Sequence, residues 1–92
     1  MMKTYQITIQ EQNTNEPQTL TFEMQDRENL FGVIEALKAK SGLEENEATR
    51  LGLSLRLIGP LMMKDRKHPL FAEFFPHFKN FMTNLKSKVK NG

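Results

Sequence analysis

The sequence predicts an α+β fold, an N-terminal antiparallel β-hairpin packed on three helices. Three observations predict it. Apolar residues alternate with polar ones up to about residue 24, and recur at helical spacing beyond it. A polar loop joins the two alternating runs, as in an antiparallel hairpin. The chain has 92 residues, the size of one domain.

The first strand is expected over about 4–10. Tyr5, Ile7 and Ile9 point one way, while Thr4, Gln6, Thr8 and Gln10 point the other. The second is expected over about 18–24, with Leu20, Phe22 and Met24 on one side and Thr19, Thr21 and Glu23 on the other. Period two with β-branched and aromatic residues is the mark of a strand with one buried face. Glu11–Gln18 between them is rich in Asn, Glu and Gln and contains Pro17, which makes a loop longer than a two-residue turn.

The first helix is expected over about 27–41. Asp26 stands where a cap is needed, and Glu28 would suit the positive end of the helix dipole. Leu30, Val33, Ile34 and Leu37 form one stripe, Lys38 and Lys40 close the last turn, and Gly42 is placed for a left-handed stop. The second helix is expected over about 44–64, opened by Glu44, Glu45 and Glu47. It carries two apolar stripes, Leu51, Leu55, Ile58 and Met62 on one and Leu53, Leu57 and Leu61 on the other. Ala48, Gly52 and Gly59 make a third, smooth side that lets another backbone come close. Pro60 is expected to bend this helix. The third helix is expected over about 69–88, with Pro69 at its first position and His68 as cap. Phe71, Phe74, Phe75, Phe78, Phe81, Met82, Leu85 and Val89 run along it, and Pro76 either kinks it or splits it in two.

Composition excludes several classes. With no cysteine the chain has no disulfide scaffold, no thiolate nucleophile and no Cys-ligated metal site. At 38% hydrophobic and 26% charged residues it is too apolar to be disordered. The N-terminus has no apolar core of a signal peptide, and the longest apolar-rich run, Leu51–Met63, is short of the ~20 residues a membrane helix needs. A soluble cytoplasmic protein without membrane association is expected.

Reactive constellations are equally scarce. His68 and His77 match no metal-binding spacing. Glu73 and His77 lie one turn apart, but no third ligand accompanies them. The five glycines are isolated, so no phosphate-binding loop exists, and the serines lack a His–acid pair for nucleophilic catalysis. No catalytic residue, cofactor or metal is expected.

The remaining signals are apolar surface and charge. A hairpin of two strands needs helices over its apolar face, and helix one with the Phe stripe of helix three are the expected covers. Leu53, Leu57 and Leu61 are then left without an intramolecular partner, a patch that monomers avoid. The expectation is a homodimer burying this stripe, with the free hairpin edges as a second possible contact and a monomer wrapped by helix three as the competing arrangement. Residues 1–63 hold 6 basic and 9 acidic side chains, whereas residues 64–92 hold 7 and 2. That basic final third leaves weak nucleic-acid binding as an alternative, disfavoured because the aromatics lie on the apolar stripe.

Leu51-Gly52-Leu53-Ser54-Leu55-Arg56-Leu57, Met62-Met63-Lys64-Asp65-Arg66-Lys67-His68-Pro69-Leu70-Phe71, Pro76-His77-Phe78 and Phe81-Met82 resemble a small bacterial family, domain-of-unknown-function family 3861. The Tyr-x-Ile-x-Ile strand and Leu30-Phe31 are similar to it too, so the likeness spans nearly the whole chain. This chain departs from the family's pattern at Asp65 and His68, where Asn is usual, and at Pro60. The resemblance implies an α+β bacterial protein and supplies no activity. The expected function is a non-catalytic binding or interaction module acting as a homodimer, with a protein or anionic partner. A small enzyme with its site at the dimer interface is a further alternative. The expected binding surface is Lys64, Arg66, Lys67, His68 and His77, polar residues of the family-like segment near the junction of helices two and three.

Overall fold

The computed structural model describes residues 2–91. Strands β1 (Lys3–Gln10) and β2 (Thr19–Asp26) pair antiparallel. The register sets Tyr5 opposite Met24, Ile7 opposite Phe22 and Ile9 opposite Leu20, so all six apolar side chains share one face. On the other face the hydroxyls of Thr8 and Thr21 meet at 3.3 Å.

Helix α1 spans Leu30–Lys40 and starts three residues later than the sequence suggests. Its cap is Asn29, whose Oδ1 accepts the Gly32 N–H at 3.4 Å. Asp26 does not cap it, because its carboxylate is taken by Arg56 and stays at the end of β2. The helix stops at Gly42, which adopts φ +83°.

Helix α2 (Glu45–Lys64) is capped by Glu44, which accepts the Glu47 N–H at 2.9 Å, and it continues through Pro60. Its small-residue side is the packing side. Ala48, Gly52 and Gly59 are all buried. A Cβ on Gly52 would stand 3.0 Å from the Ile34 side chain and 3.2 Å from that of Leu37, which measures how closely α1 lies against it. Gly59 faces the ring of Phe78.

The expected third helix is two helices. Helix α3 is the single turn Pro69–Ala72, and α4 spans Phe75–Asn91. Pro76 sits at the second position of α4, where the missing N–H has no intrahelical acceptor anyway. The hydrogen-bonded ladder of α4 opens with Phe78 N–H to Phe74 C=O at 3.0 Å.

The core lies between α2 and α4, where Leu55, Met62 and Phe78 are buried together, flanked by Leu51, Phe71, Met82 and Leu85. Of the Phe stripe, Phe78 is buried there and Phe71 packs against it, while Phe74 and Phe81 are exposed. The hairpin instead rests on α2 through β2 and ties to the start of α1 through Tyr5. The Tyr5 hydroxyl donates to the Glu28 carbonyl and accepts the Leu30 N–H, both at 3.0 Å. The far end of the hairpin stands clear, with Ile9 and Leu20 exposed.

Two expectations for α2 change accordingly. Leu53 and Leu57 are half-buried inside the single chain. Only Leu61 of that stripe remains exposed. Ile58, expected inside, is exposed as well, because α4 stays near the Leu55–Met62 side.

Candidate functional site

Arg56 is a lone charge within the apolar run of α2, and the fold gives it one partner. Its Nε donates to Oδ2 of Asp26 at 2.8 Å and its Nη2 to Oδ1 at 2.6 Å, a bidentate pair. Oδ1 also accepts the Glu28 N–H at 3.2 Å. The Asp26 side chain is only 3% exposed, that of Arg56 21%. The Arg56 hydrogen bonds hold the Asp26 carboxyl below its ordinary value of 3.8, against burial, which pushes the other way. The same hydrogen bonds raise Arg56. The pair joins the end of β2 to the middle of α2, thirty residues apart in sequence.

Two cavities flank this pair and share Glu28, Leu55, Arg56 and Met82 as a common wall. One, of about 540 Å³, opens toward Gln25, Arg27, Pro60, Met63 and Lys64. The other, of about 440 Å³, runs between α1 and α4 toward Lys40, Lys86 and Lys90. A third hollow, of about 360 Å³, is a groove between α2 and α4, walled by Leu51, Leu55, Ile58, Phe74, Phe78 and Phe81 with His77 as its one polar side chain.

The structure divides the expected binding residues. Lys64, Arg66, Lys67 and His68 lie together at the end of α2 and in the turn after it, all exposed. Two of them have local work. The Arg66 guanidinium lies 5.8 Å from the centre of the Phe75 ring. His68 caps α3, its Nδ1 accepting the Leu70 N–H at 3.1 Å. His77 lies on α4 and lines the apolar groove.

Sequence reasoning missed Asp26 as the partner of Arg56, and it missed the lysine-rimmed cavity. The first left a signal, since a single arginine inside an apolar helix demands a partner when buried. The second depends on how α1 and α4 come to lie side by side, which no local pattern encodes.

Among the described residues, no helix is long and apolar enough to cross a membrane. No curated protein matches the chain. A solved structure does: the crystal structure of a protein of unknown function from Pectobacterium atrosepticum is 38% identical, with a TM-score of 0.86, over 95% of this chain and 99% of that one. Residues 3–87 match the family described as Domain of Unknown Function with solved-structure structure (DUF3861). With a hairpin followed by four helices among its described residues and a match over nearly its whole length, the chain belongs to the DUF3861 family.

Proposed function

We propose that this protein is a cytoplasmic, non-catalytic interaction module that acts as a homodimer. The observation that carries this reading is the amount of surface the single chain leaves uncovered. A folded monomer of 10.7 kDa exposes about 5,500 Å² on the usual size scaling, whereas this chain exposes 7452 Å². Its radius of gyration is 15.1 Å, against about 12 Å for a compact domain of this length. The excess surface exceeds the ~800 Å² per partner that a standard interface covers.

The α2–α4 face is the part of that surface best suited to a twofold contact. Ile58, Phe74 and Phe81 are exposed along a groove with one polar lining residue among the described residues, and Leu61 is exposed three residues beyond Ile58 on α2. An isologous contact would set the Phe74–Phe81 rim of one protomer into the groove of its partner. Each large apolar side chain fully buried contributes ~1.5–3 kcal/mol, so four half-exposed ones supply several kcal/mol. This moves the expected interface from Leu53, Leu57 and Leu61 to Leu61 together with Ile58, Phe74 and Phe81 of the groove.

Light scattering tests it. The full chain at 50 µM is expected to have twice the mass of one protomer, and Phe74→Asp with Phe81→Asp to return it to one. A single-protomer mass for the unaltered chain contradicts the reading.

A further inference from the structure

We propose that the cavity between α1, α2 and α4 binds a medium-chain carboxylate, an unbranched apolar tail ending in one anionic group. Its volume of about 440 Å³ falls in the ~300–1,000 Å³ range of small-molecule sites. The walls are apolar: Val33 and Leu37 of α1, Leu55 of α2, and Met82, Leu85 and Val89 of α4. From Val33 to Lys40 the α1 wall extends about 10 Å at the helical rise, which suits a tail of medium length.

The charges of the cavity are sorted by end. Lys40 closes α1, while Lys86 and Lys90 lie one turn apart near the end of α4. Among the described residues, none of these three ammonium groups is paired with a carboxylate. Glu28 and Arg56 line the other end, where the cavity meets its neighbour. Arg56 is held there by Asp26, and Glu28 adds a further negative charge. An anionic head is therefore drawn to the lysine end and repelled from the Glu28 end, while the tail lies along Leu85, Met82 and Leu55. Lys40 and Lys90 also suit the negative ends of their helices. Lys86 stands a turn further in, and the helix dipole does not account for the apolar channel behind it.

The test is calorimetric titration of the full chain with decanoate, below the concentration at which decanoate self-associates. Methyl NMR shifts identify the site. Saturable binding of one decanoate per protomer is expected, with shifts at Val33, Leu85 and Val89. The triple variant Lys40→Gln, Lys86→Gln and Lys90→Gln should fold as before, by far-UV circular dichroism, and bind at least about tenfold more weakly. Decylammonium, with the same tail and the opposite charge, should be weaker by a similar factor. Absence of saturation overturns the proposal, as does equal binding of decylammonium or a set of shifts confined to the α2–α4 groove. A chain that binds phosphatidylglycerol vesicles but not free decanoate overturns it too, since that surface would recognise a lipid bilayer and not a soluble carboxylate.

Discussion

Replacing Arg56 with methionine is expected to cost about 3 kcal/mol of stability at neutral pH. Removing one partner of a buried ion pair strands the other, which typically costs ~3–5 kcal/mol. The lower end applies here because Asp26 keeps the Glu28 N–H. A domain of this length has roughly 5–14 kcal/mol in total, so the loss is a large share, and at ~4–8 °C per kcal/mol it lowers Tm by about 12–24 °C. Asp26→Asn should cost less, about 1–2 kcal/mol. Arg56 is 21% exposed and can turn to water, whereas Asp26 at 3% cannot. The double variant should therefore be more stable than Arg56→Met alone. The pH dependence has a definite sign. In the unaltered chain Asp26 sits below 3.8, so its contribution is present above that value and is lost as pH falls through the lowered one. In Arg56→Met the buried carboxyl has no cation, burial raises it, and the folded state binds the proton more readily than the unfolded. The deficit of the variant should then shrink as pH falls from 7 to 4. Urea unfolding followed by far-UV circular dichroism, at one protomer concentration throughout, measures all of this. A cost below about 1 kcal/mol for Arg56→Met, a larger cost for Asp26→Asn, or a deficit unchanged between pH 7 and 4 would refute the reasoning.

Other consequences follow from local geometry. Gly52→Ala should destabilise by about 1 kcal/mol in a thermal melt, because a gain of up to ~1 kcal/mol in helix propensity is outweighed by overpacking against α1. The new Cβ would stand 3.0 Å from the Ile34 Cγ1 and 3.2 Å from the Leu37 Cδ1, both tighter than ordinary contacts, and Cγ1 lies too near its own backbone to turn far aside. Gly59→Ala should instead stabilise by a few tenths of a kcal/mol to about 1, since its Cβ meets the Phe78 ring at 3.6 Å, an ordinary contact. Tyr5→Phe should cost about 1–2 kcal/mol by leaving the Leu30 N–H and the Glu28 carbonyl without the hydroxyl they share. Faster hydrogen exchange at the Leu30 amide would accompany it, and an unchanged rate would count against the link between β1 and α1.

The elements written in local periodicity were legible in the sequence. The alternation of Tyr5, Ile7 and Ile9 against Leu20, Phe22 and Met24 specified the hairpin face, and the pairing sets those residues opposite one another. The smooth side of α2 was legible for the same reason, because Gly52 and Gly59 have no use on an exposed face. Pro76 left two outcomes open, and the split prevails because a proline fits the first turn of a new helix at no cost in hydrogen bonds. The cap of α1 was misplaced for a physical reason. Asp26 and Asn29 are both good caps, and the choice was made by Arg56, thirty residues away. The same long-range packing decided which leucines of α2 stay exposed. Only the arrangement of helices in space shows that α4 leaves Ile58 uncovered, or that Lys40 meets Lys86 and Lys90 at one cavity.

The homodimer proposed through the α2–α4 face is tested most directly by isotope-filtered NOE spectroscopy on a mixture of labelled and unlabelled chains. Contacts between protomers are predicted from the methyls of Ile58 and Leu61 to the rings of Phe74 and Phe81. Contacts confined to Ile9 and Leu20 of the hairpin, or none between protomers at millimolar concentration, would contradict it.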